Sequence, residues 1–403
     1  MKKLVSRTGL LTSTILDELK AISHSLPIML VVVGGVVVYG FLYNLLYRPN
    51  VVEGVAVVVV DESQSTTSRR LAALIGASPK VEIIGHLPDL DAARELLAAQ
   101  KAEGIIYIPH DLEERLGRGE SGIFIILAST AQFLNYEAIA NGALTAMEYF
   151  EGELRPEMIR FIPADKVESL LRAKTFEVVT TTLHNPTRGY ADYLMPAVLI
   201  AILFQTMIMA ITIRTGELRS RGTIIHYARR GISWSSISIV VVARAFVYVL
   251  LYGLLALFLV GWLPSVFDLP RCGQWWDVVI LLTPFLISTA LFGQAFGVLF
   301  RDGDAGLPVI TFFSVGLLFL SGMSFPLELL PPFWRALHYL IPAPTAILGY
   351  IKVSSMGATT ADIGQEVATL WADSVVYFVA ATATLRHTLK RAIGRPLPPE
   401  AGN

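Results

Sequence analysis

The chain has 403 residues, of which 54% are hydrophobic and only 16% charged, with a mean hydropathy of +0.58. A soluble domain runs near a quarter charged, so this balance excludes an ordinary soluble protein. The formal net charge of -1 gives no basic excess for nucleic acid, and it hides an alternation of short Arg-rich segments with one long acid-rich block.

The chain begins with Lys2, Lys3 and Arg7, and no small-residue cleavage pattern follows the first apolar run, which reads as a retained anchor. Across residues 1–25, Leu11, Ile15, Leu19 and Ile22, continuing to Leu26, recur at spacings of four or three. Thr12, Ser13, Asp17, Glu18 and Lys20 fill the other face. The pattern predicts an amphipathic helix lying flat at the cytoplasmic surface and turning into the bilayer near Pro27.

A bilayer core takes roughly 20 apolar residues per helix. Residues 26–47 are uncharged and predict the first span. Five more are expected within residues 193–385: 193–213, 237–260 (interrupted only by Arg244), 278–300, 307–320 and about 370–385. Lys20 and the leading cations, the loop 214–233 with Arg214, Arg219, Arg221, Arg229 and Arg230, Arg301 after the fourth span, and the tail 386–403 all carry positive charge. An even span count puts all four on one side, which the Lys/Arg rule makes the cytoplasm, with both termini inside. The fold class expected is therefore a mostly α membrane protein, six transmembrane helices with an inserted extracytoplasmic α/β domain.

That insertion is residues 51–189. Val55–Val60 reads as a buried strand before the polar turn Asp61-Glu62-Ser63, Ser68–Ile75 as a helix and Val81–Ile84 as a strand. Asp89 is placed to cap a helix reaching Gln100. Ile105–Ile108 and Ile123–Leu127 read as further strands, with a short helix Asp111–Leu116 between them. From about Tyr136 to Thr182 the pattern turns helical.

Chemistry-bearing motifs are sparse. No GxxxxGK[ST] loop is present for ATP, no HExxH helix and no Cys/His cluster for a metal. The single cysteine, Cys272, excludes an intramolecular disulfide and is expected in an extracytoplasmic loop. His184 and His338 read as surface or interfacial side chains. The Arg residues of 214–233 suit carboxylates of a partner protein or serve only to set topology. Arg244 either snorkels or faces a polar cavity, and Gln205 and Gln294 read as interhelical hydrogen-bonders or pathway groups. Residues 321–350 are apolar and aromatic but broken by Pro326, Pro331, Pro332, Pro342 and Pro344. They predict short re-entrant helices, an outer gate or a passive cap.

These stretches resemble the ABC-2 type transporter permeases, in particular the bacterial subgroup with a large extracytoplasmic domain after the first span. The likeness rests on Glu217–Thr223 (ELRSRGT), on Gly322–Ile347 (GMSFPLELLPPFWRALHYLIPAPTAI), on VAVVVVDESQSTTSRRL at the start of the insertion and IIYIPHDLEERLGRG further on, and on the order of spans. After Gly222-Thr223 the chain continues Ile224 to Arg230, where the family usually has an acidic or Leu-rich stretch and a Pro.

The resemblance implies a permease subunit of an exporter with no catalytic residue of its own. It implies no cofactor in this chain, ATP and Mg being held by separate cytoplasmic ATPase subunits, and pairing with a second permease chain. It implies ATPase coupling through Glu217, Arg219, Arg221, Gly222 and Thr223, and an outer signature at Gly322, Phe325, Pro326, Leu330, Pro331 and Pro342. A periplasmic adaptor and outer-membrane duct often join such systems. The cargo expected is drug-like or amphiphilic. A lipid-linked glycan or other envelope component is the alternative in the same class, and a sensor with residues 51–189 as receptor is the alternative outside it.

Overall fold

A computed structural model describes residues 7–118, 122–128, 133–161, 185, 189–220, 233–269, 271–300 and 303–393. The chain divides into two compact units, Met1–Asn50 with Thr182–Asn403, and Val51–Thr181.

The first unit is helical. Helix α1 spans Arg7–His24. Helix α2, Leu26–Leu46, follows after Ser25, with Pro27 in its first turn, where a missing N–H costs nothing. The other long helices are α7 (Tyr190–Ser220), α8 (Trp234–Val266), α9 (Trp275–Gly297), α10 (Gly303–Leu320) and α13 (Gly364–Ile393). The intervening labels α3 to α6 belong to the second unit, described below. Five of the helices, α2, α7, α8, α9 and α13, are long and apolar enough to cross a membrane. Helix α10 falls where the fifth span is expected, but its apolar stretch Ala305–Ser314 is shorter. Within its best apolar window, α7 is 78% buried against 22% for α2, so α7 is a central helix of the unit and α2 presents most of its surface outward. Leu26, Leu30, Val38 and Leu46 on α2 are accordingly exposed, as expected where lipid is the solvent.

Between α10 and α13 lie two shorter helices, α11 (Pro332–Leu340) and α12 (Pro342–Met356). Prolines stand at their N-terminal ends, where the fixed φ suits a helix start. Gly357, at φ +69°, closes α12 by donating to the carbonyls of Lys352 and Val353.

The second unit is α/β. Its strands are β1 (Val55–Asp61), β2 (Val81–Leu87), β3 (Gly104–Ile108) and β4 (Ile125–Ala128). They form one sheet in the order β2-β1-β3-β4, with β1 parallel to both neighbours and β4 antiparallel to β3. The unbroken valine run of β1 follows from its central position. Val57 and Val59 pack with Leu71 and Ile75 of α3 (Thr66–Gly76) and Ile139 and Phe150 of α6 (Phe133–Phe161). Val58 and Val60 pack on the opposite face with Ala93 of α4 (Leu90–Ala98). A strand covered on both faces has no polar side to show. Asp89 caps α4 by accepting from the Ala92 N–H at 2.8 Å, and α5 covers Leu112–Gly117. The helical passage expected to Thr182 is seen to Phe161, and residues 162–184 lie outside the described residues.

Candidate functional site

The buried face of α1 is not the one its apolar pattern marks. Leu10, Thr14, Glu18 and Ile22 form the buried stripe, while Leu11, Leu19 and Leu26 are exposed. The stripe is displaced by one residue, about 100° of helix. The side carrying Thr14 and Glu18 turns toward protein because cationic partners for Glu18 stand there. Glu18, expected on the polar outer face, has no exposed surface at all.

What receives Glu18 is a pair of guanidinium groups. The Nε–H of Arg244, on α8, donates to one carboxylate oxygen at 3.1 Å, and the Nε–H of Arg214, on α7, donates to the other at 3.3 Å. Arg214 also reaches Glu217 at 3.4 Å, and the Ser25 hydroxyl donates to the second oxygen of Glu217 at 2.6 Å. The chain Arg244–Glu18–Arg214–Glu217–Ser25 thus ties α1, the α1–α2 junction and two long helices together. Among the described residues it joins two cations to two anions, the balance under which buried charges are tolerated. Arg244 is only 3% exposed, so it neither snorkels nor lines an open cavity: it is half of an ion pair.

Arg219, one turn beyond Arg214, binds inward. Its guanidinium donates to the Phe300 carbonyl at 2.7 Å and to the Thr388 hydroxyl at 3.4 Å, joining the end of α7 to the ends of α9 and α13. Gln294 donates from Nε2 to the Val241 carbonyl of α8 at 3.2 Å, an interhelical bond. Arg219, Arg244 and Gln294 border a space of about 10 Å³ with Thr215, Leu218 and Thr388, room for roughly one water. Gln205 on α7 is half-buried and does not border it. Arg221, Gly222 and Thr223 lie outside the described residues.

At the opposite end of the unit, irregular backbone is satisfied by side chains. Gly322, at φ +85°, turns the chain out of α10, a conformation that disfavours a Cβ. The Tyr193 hydroxyl of α7 donates to the Met323 carbonyl at 2.6 Å. Arg335 donates to the carbonyls of Glu328 and Leu330 at 2.7 and 3.1 Å, and the Tyr377 hydroxyl donates to that of Leu340. His338, read from sequence as a surface or interfacial group, is 1% exposed and donates from Nδ1 to the Leu320 carbonyl at 2.7 Å. It is buried because that helix-end carbonyl has no other donor in an apolar setting. Pro326 and Pro331 stand just before a short helical turn and α11, Pro342 starts α12, and Phe325 and Leu330 are exposed or half-exposed at the same end. Among the described residues no group of three or more His, Cys, Asp or Glu side chains could hold a metal ion.

A family model described as ABC-2 family transporter protein matches residues 25–383. This chain belongs to the ABC-2 transporter family. The linearmycin resistance permease protein LnrN of Bacillus subtilis (strain 168) is 23% identical over 359 residues, covering 82% of this chain and 88% of that one. As an ABC-2 permease the chain is a multi-pass protein of the bacterial cell membrane and a transport subunit without an ATPase site. Nucleotide acts on a cytoplasmic ATPase partner, and the permease is dimeric.

Proposed function

We propose that this chain is the membrane-spanning half of an exporter that moves a drug-like or amphiphilic compound out of the cytoplasm or the inner leaflet. The B. subtilis relative is a resistance permease by name, which supports efflux of a toxic compound over export of a lipid-linked glycan. In this reading α10 crosses the membrane as a sixth span. Both termini, α1 and the segment Glu217–Thr223 then face the cytoplasm, and Val51–Gly189 faces outside. Neither the fold nor the relative gives ground for an adaptor or an outer-membrane duct, so the complex is taken as permease and ATPase alone.

The observation that carries the reading is the ion-pair chain from Arg244 through Glu18 and Arg214 to Glu217. It connects the first acidic residue of the coupling segment to the interfacial helix and to the interior of the bundle. An ATPase seated against Glu217–Thr223 therefore pushes on α1, α7 and α8 together. The residues Gly322–Pro342 form the outer gate at the far end, held by Tyr193, His338 and Tyr377.

The test is reconstitution with the partner ATPase in proteoliposomes. Replacing Arg221 with Glu is expected to abolish permease-dependent stimulation of ATP hydrolysis while membrane insertion is unchanged. Stimulation equal to wild type refutes the coupling role. Exit of a fluorescent amphiphile that is no faster with ATP than without it refutes export.

A further inference from the structure

At the end of the helical unit opposite Glu18, a space of about 240 Å³ opens between the last turns of α8, the first turn of α9 and the end of α12. Val260, Arg271, Trp275, Val278, Tyr350 and Ser354 line it. The balance of hydrogen-bonding groups around it is unequal. The carbonyls are already engaged: Gly261 accepts from Arg271 at 2.8 Å, Ser354 from the Cys272 N–H at 2.8 Å, Lys352 from Ala358 at 3.0 Å and Val353 from Gly357 at 3.2 Å.

The donors are in surplus. Helix α9 starts at the space with Gln274 as its cap, whose side chain makes no capping bond, so its first-turn N–H groups lack the usual acceptor. Ser354 is 5% exposed and its hydroxyl has no hydrogen-bond partner. Arg271 lies over the Trp275 ring, 5.5 Å from its centroid, and donates only to a carbonyl and to the Ser265 hydroxyl. Among the described residues no carboxylate lies within salt-bridge distance of it, a contrast with Lys352, which is held by Glu366 at 2.5 Å. The one acid in the first turn of α9, Asp277, accepts from the Thr360 N–H at 2.7 Å and from its hydroxyl.

An uncompensated guanidinium beside a free helix N-terminus is a site for an anion. The surface around it is apolar: Trp262, Val266, Trp276, Val279 and Ile280 are exposed, and in a membrane protein such a surface meets acyl chains. We infer that this space binds the phosphate or carboxylate head of an amphiphile, with Arg271 and the α9 N-terminus holding the anion and Trp262 and Trp276 flanking the chain. That chemistry belongs equally to an anionic membrane lipid and to an anionic cargo leaving the bundle.

Two probes separate the sources: dodecyl phosphate added to full-length protein in a zwitterionic detergent, and phosphatidylglycerol against phosphatidylcholine in nanodiscs, each followed by native mass spectrometry. Wild type is expected to retain the anionic probes, Arg271→Gln to weaken them at least tenfold, and Arg271→Lys to recover part of the loss. Because Arg271 also caps the Gly261 carbonyl, Val278→Phe is the second variant. It fills the space, leaves the guanidinium in place and is expected to weaken the same probes. Phosphatidylglycerol that blocks dodecyl phosphate identifies a resident lipid, and ready exchange between the two identifies a cargo station. Anion retention unchanged in both Arg271→Gln and Val278→Phe, or equal retention of phosphatidylcholine, overturns the inference.

Discussion

Glu18→Gln is the most informative perturbation of this molecule. The substitution keeps the size of the side chain and removes its charge, so that of the two anions in the set among the described residues only Glu217 remains. Among the described residues the wild-type set has two cations and two anions, so the variant lacks one negative charge in a place with no exposed surface at its centre. Removing one partner of a buried pair costs about 3–5 kcal/mol, because the remaining charge stays desolvated. Arg244→Met removes one of the two bonds to Glu18 and leaves the other, and is expected to cost less, about 1–3 kcal/mol. The double variant removes one cation and one anion and so restores the wild-type charge balance, with Arg214 keeping its bond to Glu217. It should therefore be more stable than Glu18→Gln by itself, the sign opposite to additivity. Denaturant or thermal unfolding in detergent, followed by tryptophan emission, measures all three. A Glu18→Gln loss below about 1 kcal/mol, or a double variant less stable than either single one, refutes the idea that the network is a buried and balanced set.

Arg219→Ala deletes the bonds to Phe300 and Thr388 and is expected to cost about 1–3 kcal/mol, with Arg219→Lys recovering less than half, because an ammonium cannot span both acceptors. Unfolding midpoints check this, and stimulation of the partner ATPase should fall with the same rank order. Gly322→Val places a β-branched side chain at φ +85° and is expected to lose about 1–2 kcal/mol, several times the loss at Gly253, which lies in helix with nothing near its Cβ position. Tyr193→Phe removes the donor to Met323 and should cost about 0.5–1.5 kcal/mol while raising the labelling rate of a cysteine placed at Met323.

Much of the helical frame is legible in the sequence because lipid imposes a minimum length of apolar helix. The span at 370–385, which carries polar residues, proves to be the middle of a 30-residue helix, and the apolar 307–320 comes out shorter than its neighbours. The short helices α11 and α12 are legible from proline positions, since a proline that breaks a helix interior is favoured at its start. What the pattern misreads is Glu18. A helical wheel assumes that polar side chains seek water, and Glu18 instead meets two guanidinium groups inside the unit. A charge count narrows it: Arg214 and Arg244 sit at or within spans, each requires an anion, and α1 and the end of α7 supply Asp17, Glu18 and Glu217. His338 is misread for a related reason. Its partner is a backbone carbonyl, and no side-chain pattern announces that.

The two ends of the unit are joined by α7. Near one end it carries Arg214, Glu217 and Arg219, and near the other Asp192 and Tyr193, over a distance of about 40 Å along the axis. At the far end the Asn50 amide donates to Asp192 at 2.8 Å, and Tyr193 holds Met323. Most of the surface between is packed against neighbouring helices. A rod so enclosed cannot bend into open space, so a displacement applied at Glu217 is passed along its length or stopped by breaking an ion pair. The strength of the Glu18 network therefore sets which of these happens. Too weak a network lets α1 and α8 slip past α7, and a balanced one makes the three move as a body. In the proposed orientation, the residues that receive the push of the ATPase and those that hold the outer gate are then parts of one mechanical element, and charge neutrality at Glu18 is the condition for its working.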